Sequence, residues 1–446
     1  MLDSMNLSDI ARILNVPCVQ DQALTGLSID SRNIAAGQVF VALVGERFDG
    51  HDYVVDAMHA GAVAVICERA IPDVSGVQWV VPSTLHALAA IARWYRQQFH
   101  CPVIAVTGSN GKTSVKEMIA CILPSPSFAT GGNLNNHIGA PLSALQLQPE
   151  HRYAVFELGA SGPGDIAHTV AIVQPDVSLV NNIAPAHIEG FGSIDGVARA
   201  KGEIYLGLNQ KGTVVINDDD AYAHFWDDAF IQGRPVVRFS RAHEATVYAR
   251  DVTLSATGHP EFTLIMPTGE AVVRLKVPGH HNVSNALAAA SCAYAVGVSL
   301  PDIVAGLESF VGVSGRMTFR QGKHQATIID DTYNANLRSA LTAVDVLAKC
   351  AGVRILVLGD MAELGVWGER HHEEVGLAAR EQGIDWVLTC GTLSAKSALA
   401  FGSGGMHYNN QEDLTQDLLR RLDAKTTVLV KGSRSAAMEH IVQQLI

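Results

Sequence analysis

Charge is scarce in this sequence. Charged residues make up 17% of the 446, against roughly 25% in an ordinary soluble protein, while 48% are hydrophobic. Disorder as the main state is excluded. Positive charge is scarcer still: 32 Lys and Arg face 44 Asp and Glu, a formal net charge of -12, and no basic run gathers the cations. A phosphate backbone would be repelled, so no nucleic-acid partner is expected. Long apolar runs are missing too. The longest weakly polar stretch, Ala286 to Leu300, is rich in Ala, Ser and Gly and stops at Pro301, which reads as a buried helix and not a membrane span. The opening MLDSMNLSDIARIL lacks a basic start ahead of an apolar stretch, so no secretory signal is expected. None of the seven cysteines (Cys18, Cys67, Cys101, Cys121, Cys292, Cys350, Cys390) pairs as C-x-x-C, and reduced core thiols in a cytoplasmic protein are expected. Repeats, heptads and low-complexity tails are absent as well.

What is present is enough chain for about three domains. The first part mixes short strands (GQVFVAL, AVAVICE) with helices, and Pro72 and Pro82 punctuate its end. Next come an apolar-periodic helix, Thr84 to Phe99, and strand candidates YAVFELG, DVSLVNNI and GTVVIN. From about Pro235 to Pro278 the pattern changes to alternating segments that predict an antiparallel addition. From Ala326 onward strands ATIIDD, RILVLGDM, WVLTCG and TTVLVKGS alternate with helical stretches, the pattern of a parallel sheet with helices on its faces. The class is α/β, with domains at 1–82, 83–313 and 314–446: a small mixed α/β domain, a central P-loop-type sheet domain and a Rossmann-like parallel-sheet domain.

The strongest local signal is Thr107-Gly108-Ser109-Asn110-Gly111-Lys112-Thr113-Ser114, between a buried strand and a helix. Backbone N–H groups in such a turn, with a helix N-terminus behind them, cradle phosphate oxygens. Lys112 would reach the β- and γ-phosphates and Thr113 would ligate Mg²⁺. Val106 stands where the standard pattern has its first Gly, and an ordinary glycine turn is the plainer alternative.

TGSNGKTS, ELGA (Glu157 to Ala160), NNIAPAHIEGFGS (Asn181 to Ser193), AKGEIY at Lys201, PGHHNVSNALAA and VLVKGSRSAAME together resemble the Mur ligases of peptidoglycan synthesis, in order and over essentially the whole chain. DDTYNAN (Asp330 to Asn336) and LGDMAELG (Leu358 to Gly365) are similar to the member that acts on a UDP-N-acetylmuramoyl-tripeptide and D-alanyl-D-alanine. The resemblance implies an ATP-dependent amide ligase, and a cytoplasmic monomer is expected. The tripeptide carboxylate would take the γ-phosphoryl group, and the amine of D-alanyl-D-alanine would attack the acyl phosphate.

By the same resemblance Glu157 and His187 hold metal, two Mg²⁺ ions in all, and Lys201 is a carbamylated lysine that orients a metal ligand set. Read alone, Glu157 and His187 are more simply an ordinary strand-end carboxylate and a packed or exposed loop histidine, and Lys201 is a surface lysine. Asn282 and Asn285, Arg316 and Asp331 correspond to nucleotide contacts; for Arg316 a linker salt bridge is the alternative. Ser31, Arg32 and Arg47 correspond to the grip on UDP, and suit a diphosphate as neutral and charged donors, although a buried structural pair is equally open to Arg32. The loop with Asn133, Asn135 and Asn136 corresponds to a substrate loop, or is a polar turn. Asn334, Asn336 and the loop Asp360 to Gly365 should shape the dipeptide site, and Leu337 stands where relatives often carry Pro. His280 and His281 lack zinc spacing, and His371-His372-Glu373-Glu374 reads as a solvated helix start.

Three rivals remain distinguishable. The 1–82 segment argues against a folate-glutamate ligase, and DDTYNAN with LGDMAELG against the ligase that adds the third peptide residue. A P-loop switch ATPase would hydrolyse nucleotide without joining substrates. A dinucleotide oxidoreductase lacks its G-x-G-x-x-G in the regular C-terminal part.

Overall fold

The computed structural model describes residues 5–18, 21–45, 48–72, 74, 76–185, 188–226, 229–255 and 258–446. Three sheets organise them. The first runs in the order β1 (Gly26–Ser28), β2 (Gln38–Val41), β3 (Ala64–Cys67), β4 (Val77–Val80), all parallel.

The second sheet contains β5 (Val103–Thr107), β6 (Ser127–Ala129), β7 (Tyr153–Glu157), β8 (Val177–Val180), β9 (Thr213–Asn217), β10 (Val236–Ser240), β11 (Val247–Leu254), β12 (Pro260–Met266) and β13 (Gly269–Arg274), in the order β13-β12-β11-β10-β9-β8-β5-β7-β6. The expected antiparallel addition is narrower than the sequence suggested. β10 still pairs parallel with β9 and with β11, and only β11–β12–β13 run antiparallel, as a continuation of the same sheet. β5 is flanked by β7 on one side and β8 on the other. The chain winds first to one side of β5 and then to the other, which puts a topological switch point at its carboxyl end, where open α/β sheets bind ligands.

The third sheet has the order β14 (Thr318–Gln321), β15 (Thr327–Asp331), β19 (Thr426–Lys431), β16 (Val353–Gly359), β17 (Trp386–Cys390), β18 (Gly405–Tyr408). It is parallel except at β14, which pairs antiparallel with β15. Sequence reading passed over β14, β18 and the helix Gln411–Leu419, because both strands are short edge strands with little apolar alternation.

Packing distinguishes the three bodies. One apolar core joins Leu7, Ile10, Val39 and Ile66 of the first sheet region, through Leu88 and Ile91 of the helix Thr84–Arg96, to Phe156 of the second sheet. The third sheet has two cores of its own. Its links to the second are polar, namely Arg316 to Thr113, Asn336 to Asn110 and Arg338 to Ile183. The expected buried helix is His280–Ala295, with every residue from Asn285 to Ala293 buried. Cysteines are less uniformly core residues than anticipated: Cys67 and Cys292 are buried, whereas Cys18 and Cys121 are exposed. Among the described residues no helix is long and apolar enough to cross a membrane.

Candidate active site

Every residue of β5 is buried, so the strand is a fixed post, and the chain leaves it at Gly108 and enters the helix Lys112–Ile122 at Gly111. Gly111 has φ +78°, and a Cβ there would lie 2.6 Å from Asn181 Nδ2 and 2.7 Å from Asn285 Oδ1. Only glycine fits both demands.

The turn is bolted to the segment after β8. Ser109 N–H donates to Asn182 O at 2.9 Å, and its hydroxyl donates to Ala184 O and accepts from Ala184 N. Asn110 N–H donates to Asn182 Oδ1, and the Asn181 and Asn182 amides both donate to Asn110 O at 2.9 Å. Sequence reading did not single out Asn181 and Asn182; their signal was an asparagine pair at a strand end beside a second strand-end loop. No side chain caps the helix after the turn, so its first N–H groups are left for an external acceptor. Thr107 is buried below the turn with an unpartnered hydroxyl.

Lys112 Nζ donates to Gly108 O at 2.7 Å. Burial pulls its pKa below the ordinary lysine value, Glu157 opposes the shift, and Arg316 adds to it. Thr113 Oγ1 donates to Glu157 Oε2 at 2.8 Å and accepts from Arg316 Nη2 at 2.8 Å. Asn135 Nδ2 donates to the other Glu157 oxygen at 2.9 Å. Among the described residues no group of three or more His, Cys, Asp or Glu gathers as a metal cage. A buried carboxylate beside a hydroxyl, with few protein oxygens, is the donor set Mg²⁺ uses when phosphates and water complete its shell. Thr113 and Glu157 therefore fit Mg²⁺. His187 lies outside the described residues.

Lys201 is no surface lysine: it is 1% exposed, in the helix Ile194–Leu206. No carboxylate pairs with it among the described residues; its ammonium faces the Phe191 ring at 5.7 Å. Burial drives its pKa well below the ordinary lysine value, and Lys112 pushes the same way. Trp226, itself buried, packs where a side chain at Gly202 would go and donates to Ala198 O at 3.0 Å, which holds this helix in place.

A cleft of about 1770 Å³ runs from the turn to the third sheet. Ser109, Asn110, Gly111, Lys112, Glu157, Asn135, Asn136, Asn282, Asn285, Arg316, Asp331, Asn334 and Asn336 all line it. Asn282 Nδ2 donates to Pro278 O, Asn285 Nδ2 to Asn282 Oδ1, and Asn181 Nδ2 to Asn285 Oδ1, a chain of amides along one edge. Asp331 accepts from Met317 N–H and, at 2.6 Å, from Lys431 Nζ. Its burial raises the carboxyl pKa, and Lys431 opposes that. Lys431, buried at the end of β19, was missed although its strand was recognised; a lysine at a carboxyl strand end was the available signal. Arg241 and Lys349 add positive charge to the wall, which His280 and His281 also line. Burial and Arg241 push His281 down to about 4. Cations such as Lys112, Arg241, Arg316 and Lys349 thus line the cleft together with the carboxylates Glu157, Asp165, Asp219, Asp220, Asp331 and Asp345, in a chain of net charge -12.

Asn336 is engaged at both ends of its amide. Its oxygen caps the helix Leu337–Ala348 by accepting from Ser339 N–H, and its nitrogen donates to Asn110 Oδ1 at 2.8 Å. Leu337 is the first residue of that helix, the position Pro favours; the cap box starts the helix without it. Asn136 caps a turn through Gly139 N–H, and Asn133 is exposed.

Ser31 and Arg32 lie in a short turn after β1, away from the cleft. Arg32 pairs with Asp30 at 2.7 Å with its side chain 85% exposed, so the pair is local and solvated where a buried one was weighed. Arg47 lies outside the described residues. The His371 cluster also departs from expectation. His372 is fully buried, its Nδ1 lies 2.7 Å from Gly368 O and its Nε2 accepts from Met361 N–H. With Asp360, which accepts from the N–H groups of Thr392, Leu393 and Ser394, it anchors the loop Asp360 to Gly365.

Family models match in chain order: the Mur ligase family catalytic domain over residues 23–97, the Mur ligase middle domain over 106–293, and the Mur ligase glutamate ligase domain over 315–434. UDP-N-acetylmuramoyl-tripeptide–D-alanyl-D-alanine ligase of Escherichia coli (strain K12) is 45% identical, over 99% of this chain and 98% of its own. A crystal structure of MurF from Acinetobacter baumannii is 35% identical with a TM-score of 0.91, covering 98% of each chain. MurF ligase from Thermotoga maritima in complex with ADP is 29% identical with a TM-score of 0.82, covering 94% of this chain and 96% of that one.

Proposed function

The chain belongs to the Mur ligase family, and from that premise we propose that it joins D-alanyl-D-alanine to UDP-N-acetylmuramoyl-tripeptide with ATP, releasing ADP and phosphate. The observation that carries the reading is the cleft itself, with a phosphate-type turn on one wall and the strand ends of a second parallel sheet on the other. An ATPase that only switches conformation has no need of a second substrate-sized wall.

The chemistry begins with repulsion, because an anionic carboxylate must reach an anionic triphosphate. Lys112 and the helix N-terminus offset the phosphate charge. Thr113 and Glu157 would hold Mg²⁺, which when bound neutralises charge on the transferring phosphoryl group. The tripeptide carboxylate oxygen attacks the γ-phosphorus, ADP leaves, and the dipeptide amine then attacks the acyl carbon and expels phosphate. Arg316, Asp331 and the Asn282–Asn285 edge hold the nucleotide in this reading. Asn334 and the anchored Asp360 to Gly365 loop face the dipeptide, with Asn336 acting through Asn110. Ser31, Arg32 and Arg47 take the UDP diphosphate, and Asn133, Asn135 and Asn136 the muramoyl peptide.

The finer assignments belong to the same proposal. Lys201 carries a carbamate, formed when its neutral amine attacks CO₂ and loses a proton, and serves a second Mg²⁺ together with His187. Burial without a carboxylate partner supports this, since it favours the neutral amine that the reaction requires. The domains divide at 1–82, 83–313 and 314–446, and the enzyme works as a cytoplasmic monomer. A substrate panel tests the function: UDP-linked di-, tri- and tetrapeptides, each offered alanine and D-alanyl-D-alanine, with product mass and phosphate release recorded. Phosphate release without both organic substrates would refute the ligase reading.

A further inference from the structure

Tyr333 was given no task above, yet its ring carries the guanidinium that bridges the two walls of the cleft. Arg316 lies over the Tyr333 face at 4.1 Å from the ring centroid, and both residues line the cleft. The guanidinium reaches across to Thr113 Oγ1 at 2.8 Å, and its Nε is buried with no acceptor.

The backbone that carries the ring is held on both sides. Tyr333 N–H donates to Gly315 O at 3.0 Å, and Gly315 turns the chain there at φ +73°. On the other side Lys431 Nζ holds Asn334 O at 2.9 Å. No carboxylate forms a salt bridge with Arg316 among the described residues. The choice of support matters chemically. A carboxylate would neutralise the guanidinium and compete with phosphate for its N–H groups, whereas an aromatic face attracts the cation and leaves both charge and donors available.

We propose that Tyr333 is a positioning residue for nucleotide: its ring presets the Arg316 guanidinium beside Thr113, so that ATP meets a fixed cation tied up in no salt bridge. This rests on the ATP-dependent reading. It predicts a role for the ring face and none for the hydroxyl.

The test is titration of the full chain with a non-hydrolysable ATP analogue, together with steady-state ligation kinetics. Tyr333→Leu should weaken analogue binding about fivefold and raise KM for ATP, with kcat and the KM for the dipeptide little changed. Tyr333→Phe should restore binding. Tyr333→Met serves as the second non-aromatic variant should the leucine variant fail to fold. In an Arg316→Ala background, Tyr333→Leu should add no further loss. Equal losses in both backgrounds, or a Tyr333→Phe defect as large as that of Tyr333→Leu, would overturn the proposal while leaving the ligase reading in place. Failure of the unaltered protein to bind the analogue would remove the ATP reading and this proposal with it.

Discussion

Replacing Lys201 by methionine should make the protein more stable while abolishing ligation, and the gain should depend on pH in a defined direction. The side chain is 1% exposed and faces a ring, with Lys112 lowering its pKa and Asp165 opposing that. Its pKa in the folded chain is therefore lowered well below 10.5, by burial first and Lys112 second. In the unfolded chain the amine binds a proton below its ordinary value; in the folded chain it does so only at lower pH. Between the two values the unfolded state holds more protons, so the lysine's cost to folding grows as pH falls, by about 1.4 kcal/mol per unit. Below the folded value the cost is complete and constant. Methionine has similar bulk and no charge, so the variant's advantage should be absent near pH 10.5 and rise at that slope as pH is lowered. Urea unfolding at several pH values in CO₂-free buffer measures it. In bicarbonate the wild type should recover part of the difference, because CO₂ that adds to the folded state's neutral amine stabilises that state by mass action, whereas the variant should not respond. Parallel stability curves for the two proteins in CO₂-free buffer would refute the reasoning.

Lys112→Ala should abolish ligation while leaving affinity for the UDP-linked substrate nearly intact, since the phosphate turn and the first sheet are separate; calorimetry with the UDP-tripeptide measures this, and a large affinity loss would contradict it. Gly111→Ala should cost about 1–3 kcal/mol and weaken nucleotide binding, because a Cβ at φ +78° meets Asn181 and Asn285; an unfolding midpoint equal to wild type would count against the close approach. Lys201→Ala should lose activity that added acetate or formate partly restores, and rescue by small amines alone would return Lys201 to the class of phosphate-binding lysines.

The family, the turn and the order of the sheets were legible in the sequence because each depends on residues close together along the chain. A buried strand, two glycines and a lysine within a few positions of one another specify the phosphate turn by local geometry, and strand–helix alternation announces a parallel sheet. Tertiary structure alone decided the rest. Asn181 and Asn182 bolt a turn some 70 residues away, Lys431 meets Asp331 across 100 positions, and Arg316 reaches Thr113 across 203. His372 looked solvated among charged neighbours and proved to be an internal anchor, because which face of a polar helix is buried depends on what packs against it. Lys201 shows the difference most clearly. Its motif identified the position, but the desolvation that lowers its pKa comes from the packing around a helix held by Trp226 and Phe191, and a sequence carries no record of the local dielectric until those elements have met.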